Sequence, residues 1–278
     1  MSKQRAKAML AAVSHTLRVP TALGTLNQHL RGAYLRGINY HETEPRYADG
    51  LRRHLEYFLR RYQVLDETGL DDFFRGRLDP ARPALVIQFD DGQRNNHEVA
   101  AEVLEEFGVR GWFFIISSFA GTIKAWSPDL VCEYMDWDLV ANLADRGHVI
   151  GCHSRAHVKL AGLEAATLQG EVVEAKQQIE ARIGRSVRSF CLPFGTRDSY
   201  DARALEMLAR HYDYVFNANA AFHGRRATKW NLGRIPLEPY MDLEMVKFLA
   251  EGAIDWRFFP RWARAEWMLR AMGPRMRP

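Results

Sequence analysis

Two aspartates, Asp90 and Asp91, stand side by side where the apolar run ALVIQF (84–89) stops. Adjacent carboxylates repel, and one beside a buried strand is costly to keep ionised. The pair therefore calls for a cation, a proton-transfer role or solvation in a turn. Farther along, GCHSRAHVKL (151–160) carries His153 and His157 four residues apart. On a helical turn they share a face and can hold one metal ion. A Pro-Phe-Gly turn (Pro193, Phe194, Gly195) closes a third apolar run, and Tyr40-His41 closes a fourth. Each signal alone is ordinary, since Asp-Asp-Gly is common turn chemistry and H-x-x-x-H is a weak ligand motif. Together, one carboxylate and two imidazoles make a facial three-ligand site with positions left for water and substrate. The second carboxylate is then free to act as a base.

Such residues must be brought together by the elements that carry them. RGINYHE (36–42) reads as a short strand, followed by helices around 47–62 and 66–76. From ALVIQF onward the alternation is regular. Asn95 or Asn96 is expected to cap a helix, RGWFFIIS (110–117) is a strand, and Asp136 caps WDLVANLADRG. HVIGCH (148–153), SFCLPFG (189–195), YDYVFNA (212–218) and NLGRIPL (231–237) are further strands, with helices at about 163–183 and 199–210 between them. Continuous apolar strands separated by helices indicate a parallel sheet covered on both faces. About seven such units predict a single-domain α/β fold, a distorted, incomplete (β/α) barrel over residues 37–252. In a barrel the reactive residues belong at the C-terminal ends of strands, where Asp90, Asp91, His41, His153 and Pro193 all fall.

The 278 residues are 47% hydrophobic and 26% charged, an ordinary composition for a folded domain. Cys132, Cys152 and Cys191 are odd in number and widely spaced, which fits a reducing compartment rather than a disulfide framework. The net charge of +4 is uneven: residues 1–41 carry +6 and residues 257–278 carry +5, leaving the middle at −7. The chain thus divides into a basic amphipathic segment (1–36), the barrel, and a basic aromatic tail (253–278). In the tail Trp256, Phe258, Phe259, Trp262 and Trp267 interleave with arginines, the composition of an interfacial membrane segment. Packing of these aromatics against the barrel is the competing account. No stretch reaches the roughly 20 apolar residues of a membrane span. The expected location is cytoplasmic, with peripheral contact to anionic membrane through the basic ends and no nucleic-acid partner.

The combination of motifs resembles the polysaccharide deacetylases of the NodB-homology type, carbohydrate esterase family 4. FDDG (89–92), GHVIGCHSRAH (147–157) and FCLPFG (190–195) are similar to that family's three signature motifs, in the same order. The likeness runs from about residue 37 to 237 and is nearest to the circularly permuted exopolysaccharide deacetylases, whose Tyr-His strand end precedes the Asp-Asp motif as NYHE (39–42) does here. The resemblance implies that Asp91, His153 and His157 bind one divalent metal ion, usually zinc, with cobalt, nickel or iron as alternatives. It also implies Asp90 as general base and His41 as general acid. Two departures stand out: Cys191 occupies the place of the arginine that orients the base, and no L-x-H motif follows the last strand. His97, His211 and His223 are expected on helix surfaces or loops. Arg234 either touches the site from the last strand or makes a structural ion pair.

The chemistry follows from the residue types. A metal polarises an amide carbonyl and acidifies water. Asp90 takes a proton, and His41 returns one to the departing amine nitrogen. The backbone N–H of Phe194 is a second oxyanion donor, and Trp126 and Tyr134 lie in a segment long enough to form a lip. The expected activity is N-deacetylation of an acylated amino sugar or glycan, lipid-linked or otherwise membrane-associated. Two alternatives are an amidohydrolase of a small non-sugar amide or imide on the same scaffold, and a catalytically silent binding protein.

Overall fold

The computed structural model describes residues 33–78, 82–127, 130–196 and 198–272. The expected amphipathic segment at 1–36 therefore lies mostly outside the described residues.

Seven parallel strands form the barrel: β1 (Tyr34–Tyr40), β3 (Ala84–Phe89), β4 (Trp112–Ile115), β7 (Val149–Cys152), β8 (Ser189–Cys191), β9 (Tyr214–Asn217) and β11 (Leu232–Pro236). Their order around the ring is β1-β11-β9-β8-β7-β4-β3, and pairing of β1 with β3 from Leu35↔Ala84 to Tyr40↔Phe89 closes it. The barrel expected from the sequence is present, and it is a closed one. Two short strands fill its lower rim. β2 (Gln63–Val64) pairs with the start of β3, and β10 (Phe222–Gly224) runs antiparallel to the start of β1. His223, expected on a surface or loop, is buried in β10, where its Nε2 accepts the Gly233 N–H at 2.8 Å.

Helices α1 (Ala48–Arg61), α2 (Glu67–Phe74), α3 (Glu102–Glu106), α4 (Trp137–Asp145), α5 (Ala165–Gln169), α6 (Ala175–Ile183), α7 (Ala202–His211) and α8 (Leu243–Ala250) follow the strands. Asp66, Asp136, Asp201 and Asp242 each cap one of them by accepting an amide N–H three residues on. Asn95 and Asn96 do not cap. Asn95 Oδ1 takes the Thr43 N–H, and Asn96 donates to the Asp90 carbonyl. Within the expected basic aromatic tail, Phe259–Ala271 form helix α9, with Ala265, Met268 and Leu269 buried.

Strand side chains alternate between two environments. Leu85, Ile87 and Phe89 face the helices, while Ala84 and Val86 join Trp112, Phe114, Tyr214, Phe216 and Leu232 in the barrel interior. Continuing that inner row along β3 brings first Gln88 and then Asp90 inward. The interior is therefore apolar below and polar at the C-terminal mouth, which is how a period of two delivers a carboxylate to the site.

Candidate active site

Asp90 is buried, and its carboxylate is gripped from β11 by Arg234, Nη1 to Oδ1 and Nη2 to Oδ2, both at 2.8 Å. Asn39 Nδ2 donates to Oδ2 at 3.0 Å. The Arg234 guanidinium also donates to Gln88 Oε1 at 3.1 Å and to Cys191 Sγ at 2.8 Å. Burial alone would raise the Asp90 pKa, but the adjacent guanidinium outweighs it and holds the carboxyl well below the usual carboxylate range. Room for Arg234 comes from Gly37 on β1: a Cβ there would lie 2.8 Å from Arg234 Cγ.

Asp91 turns the other way. Its backbone is left-handed, φ 70°, and its buried Oδ1 has no hydrogen-bond partner. That atom lies 3.4 Å from His153 Nε2 and 3.5 Å from His157 Nε2. His153 Nδ1 donates to the Cys191 carbonyl at 2.8 Å, because a carbonyl only accepts, so the ring is oriented with Nε2 toward Asp91. Burial, with His153 beside it, pushes His157 down to about 4, so this ring is neutral at ordinary pH. An orphaned carboxylate oxygen between two imidazole nitrogens fits a divalent cation of the zinc type. A second donor cluster, Asp90 with His153 and Cys191, lies close by. There the Arg234 guanidinium already fills the space as the cation, and His153 uses its other nitrogen.

The loop carrying both histidines is built by its neighbours. Glu171, buried in the π-helical turn Gly170–Glu174, accepts the amide N–H groups of Arg155 and Ala156 at 3.0 and 2.9 Å. Ser154 Oγ accepts the His157 N–H at 3.0 Å. Among the described residues, the non-glycines with positive φ are Asp91, Ser154, His157 and Phe194. All four are at this site, and each such conformation costs about 1–3 kcal/mol. Backbone strain is concentrated where the side chains converge.

Above the donors lies a cavity of about 400 Å³ lined by His41, Glu42, Asp91, Gln93, Trp126, Cys132, His157, Phe194, Glu238 and Tyr240. His41 Nδ1 donates to Glu238 Oε1 at 3.3 Å. Burial would depress the His41 imidazolium, but the Glu238 carboxylate, with Asp90 and Asp91 behind it, raises its pKa to about 8. Phe194 follows β8, and its N–H makes no hydrogen bond among the described residues. Trp126, Phe194 and Tyr240 are each about half exposed at the mouth. Trp126 stands on a hairpin of β5 (Ile123–Ser127) and β6 (Leu130–Glu133) and donates to the buried Tyr134 hydroxyl at 2.9 Å.

All six residues singled out from the sequence thus meet at one end of the barrel. Sequence reasoning missed Glu238 and left Arg234 undecided between the site and a structural ion pair; Arg234 does both. Cys191, read as the loss of an orienting arginine, is the acceptor beside an arginine that arrives from another strand. The only sequence signals for the two were that Arg234 lies on the inner row of the last strand and that Glu238 is the first acid beyond it.

Residues 77–213 match the family model described as polysaccharide deacetylase. Among curated proteins, the chain is 22% identical over 162 residues to YxkH of Bacillus subtilis (strain 168), whose description as a polysaccharide deacetylase is provisional; the match covers 58% of this chain and 54% of that one. A 30.6 kDa uncharacterised protein of Geobacillus stearothermophilus is 23% identical, over 55% and 50% of the two chains. The chain thus spans about half the length of the curated relatives it matches. Two solved structures share the fold at a TM-score of 0.66: IcaB from Ammonifex degensii, at 19% identity over 79% of this chain and 97% of that one, and the Streptococcus pyogenes deacetylase PplD in complex with acetate, at 15% over 79% and 99%.

Proposed function

From the premise that this chain carries a polysaccharide deacetylase domain across residues 77–213, we propose that it is a metal-dependent hydrolase removing the N-acyl group from an amino sugar within a glycan. The observation that carries the reading is the buried, unbonded Asp91 Oδ1 facing two imidazole nitrogens. Asp91, His153 and His157 would hold the ion, which when bound supplies a Lewis-acidic centre that polarises the amide carbonyl and acidifies water.

The chain's own groups do the rest. Asp90 Oδ2 is engaged by both Arg234 and Asn39, whereas Oδ1 keeps a lone pair for the attacking water. Its depressed basicity restricts it to a strongly polarised water and lets it give the proton up again readily. The free N–H of Phe194 is available to the oxygen that gains charge. His41, with Nδ1 committed to Glu238, offers Nε2–H to the amine nitrogen as the C–N bond breaks. Without that proton the leaving group would be an amide anion. The half-exposed Trp126, Phe194 and Tyr240 give flat apolar faces on which a pyranose can stack, which favours a sugar over a small imide.

Peripheral contact with anionic membrane is part of the same proposal. The outer side of α9 and the turn before it exposes Trp256, Phe259 and Trp267 beside Arg257 and Arg270, while Glu266 is buried. Aromatics at headgroup depth and cations near anionic lipid both favour such contact, at about 1 kcal/mol per basic residue. Among the described residues no helix is long and apolar enough to cross a membrane. The three cysteines are free thiols, which supports a reducing compartment such as the cytoplasm as part of the proposal.

The test is metal content by elemental analysis, paired with acetate release from N-acetylated amino-sugar oligomers. About one ion per chain, lost together with acetate release in the Asp91→Ala, His153→Ala double variant, is the expected result. A chain that binds no ion after reconstitution with zinc and releases no acetate would be a binding protein instead.

A further inference from the structure

The catalytic cavity does not end at Glu42, Gln93 and Cys132. A second cavity of about 430 Å³ shares these three wall residues and continues over Glu44, Arg94, Asn95, Glu98, Val131 and Glu133. Its charge is one-sided. Four carboxylates (Glu42, Glu44, Glu98, Glu133) face two guanidiniums, Arg94, which bonds Glu98 at 2.7 Å and Glu133 at 3.2 Å, and Arg46, which bonds Glu44 at 2.8 Å. Glu42, on the shared wall, has no ion pair or hydrogen bond among the described residues.

A cluster of acids is commonplace on a surface, but a second feature sets this one apart. Gln93 is 7% exposed, lines both cavities, and its carboxamide makes no hydrogen bond among the described residues. Its polar atoms are not among the fully enclosed unbonded ones, so the carboxamide opens onto the cavity space and takes its partners from whatever fills it. A sugar unit passing between the cavities, with hydroxyls that both donate and accept, supplies them.

We infer that the second cavity is a subsite for a cationic sugar, an amino-sugar unit whose amine is already free, next to the acylated unit in the catalytic cavity. This deepens the deacetylase reading and rests on it. An ammonium group beside Glu42 gains Coulomb energy that a neutral acetamide does not, and the acetamide's methyl gains nothing from carboxylates. The substrate is accordingly a partly deacetylated oligomer, and the reaction that precedes it in sequence is another removal of an acyl group from the same chain.

The experiment compares kcat/KM for acetate release from fully N-acetylated trisaccharides of glucosamine with trisaccharides carrying one free amine, in β-1,4 and β-1,6 linkage. Calorimetric binding of the fully deacetylated trimer is measured alongside, since it needs no turnover. The expected preference for the amine-containing trimer is about fivefold, the scale of one partly exposed ion pair. It shrinks toward unity in Glu42→Gln and in Glu133→Gln and in high salt, and binding of the deacetylated trimer weakens in parallel. Thermal melts equal to wild type exclude misfolding of the variants. Equal kcat/KM for both trimers overturns the subsite while leaving the deacetylase reading intact. Failure to release acetate from any trimer overturns that reading, and the calorimetric arm then decides the subsite: no binding of the cationic trimer, or binding that Glu42→Gln leaves unchanged, refutes it.

Discussion

Arg234 on β11 and Asp90 beyond β3 are joined by two parallel hydrogen bonds of 2.8 Å inside the barrel mouth. The pair gives Asp90 an oriented, permanently ionised carboxylate where burial alone would have neutralised it.

Removing one partner should therefore be severe. Arg234→Gln leaves a buried carboxylate unpaired, and we expect a loss of about 3–5 kcal/mol in urea unfolding at pH 7. The sign of its pH dependence follows from the depressed Asp90 pKa. The stabilisation is complete above the ordinary Asp value of about 4 and is lost as pH falls through the lower folded value. The stability gap between wild type and variant should narrow at pH 3, where Asp90 in the variant is protonated. A gap of equal size at both pH values would mean that the charge pairing is not the cause.

His41 offers a cleaner titration. Its folded pKa is raised to about 8, so the protonated acid persists through neutrality and the alkaline limb of kcat/KM should fall near pH 8. Glu238→Gln removes the carboxylate that raises it and leaves the depressing effect of burial, so the limb should move to lower pH. His41→Ala should cost about 10²–10⁴-fold in amide hydrolysis. It should cost far less with an aryl acetate, whose leaving group needs no proton. Equal losses on amide and ester would remove His41 from the acid role.

Gly37 makes a prediction that involves no chemistry of its own. Gly37→Ala would place a Cβ 2.8 Å from Arg234 Cγ, and overpacking of this kind costs about 1–3 kcal/mol. Displacement of the guanidinium should lower kcat while leaving zinc content at the wild-type level, because Asp91, His153 and His157 are not moved. Loss of zinc as well would indicate a wider collapse of the mouth.

The outer face of α9 predicts binding to vesicles. Co-sedimentation with liposomes containing anionic phospholipid should be seen at low salt and fade as salt rises. It should weaken in Trp267→Ala and in Arg257→Glu, positions exposed on that face and on the turn before it. Absence of binding at low salt would refute the membrane contact without touching the catalytic reading.

How much of this was legible beforehand depended on sequence separation. Asp90-Asp91 and His153-His157 are local motifs, and the strands that present them are continuous apolar runs, so the residues and their place at strand ends could be read directly. The period of two along β3 even fixes that Asp90, following Val86 and Gln88, turns inward. The β5–β6 hairpin under Trp126 was visible only as a lip of unassigned structure, because Ile123, Trp126 and Val131 are largely exposed and leave no clean alternation. His223 was misplaced because a lone histidine in a short segment carries no periodicity at all.

By itself, then, the sequence determined the barrel class, the candidate site residues and the end of the barrel where they gather, because each is encoded within a few consecutive residues. Tertiary structure alone decided how each carboxylate is partnered. Arg234 lies 144 residues from Asp90 and Glu238 lies 197 from His41, and no local pattern links either pair. Only the pairing of β1 with β11 on one side and β3 on the other brings the inner row of β11 to Asp90. The guanidinium then neutralises one aspartate, the other is left facing two imidazoles, and the difference between them is a matter of long-range electrostatics.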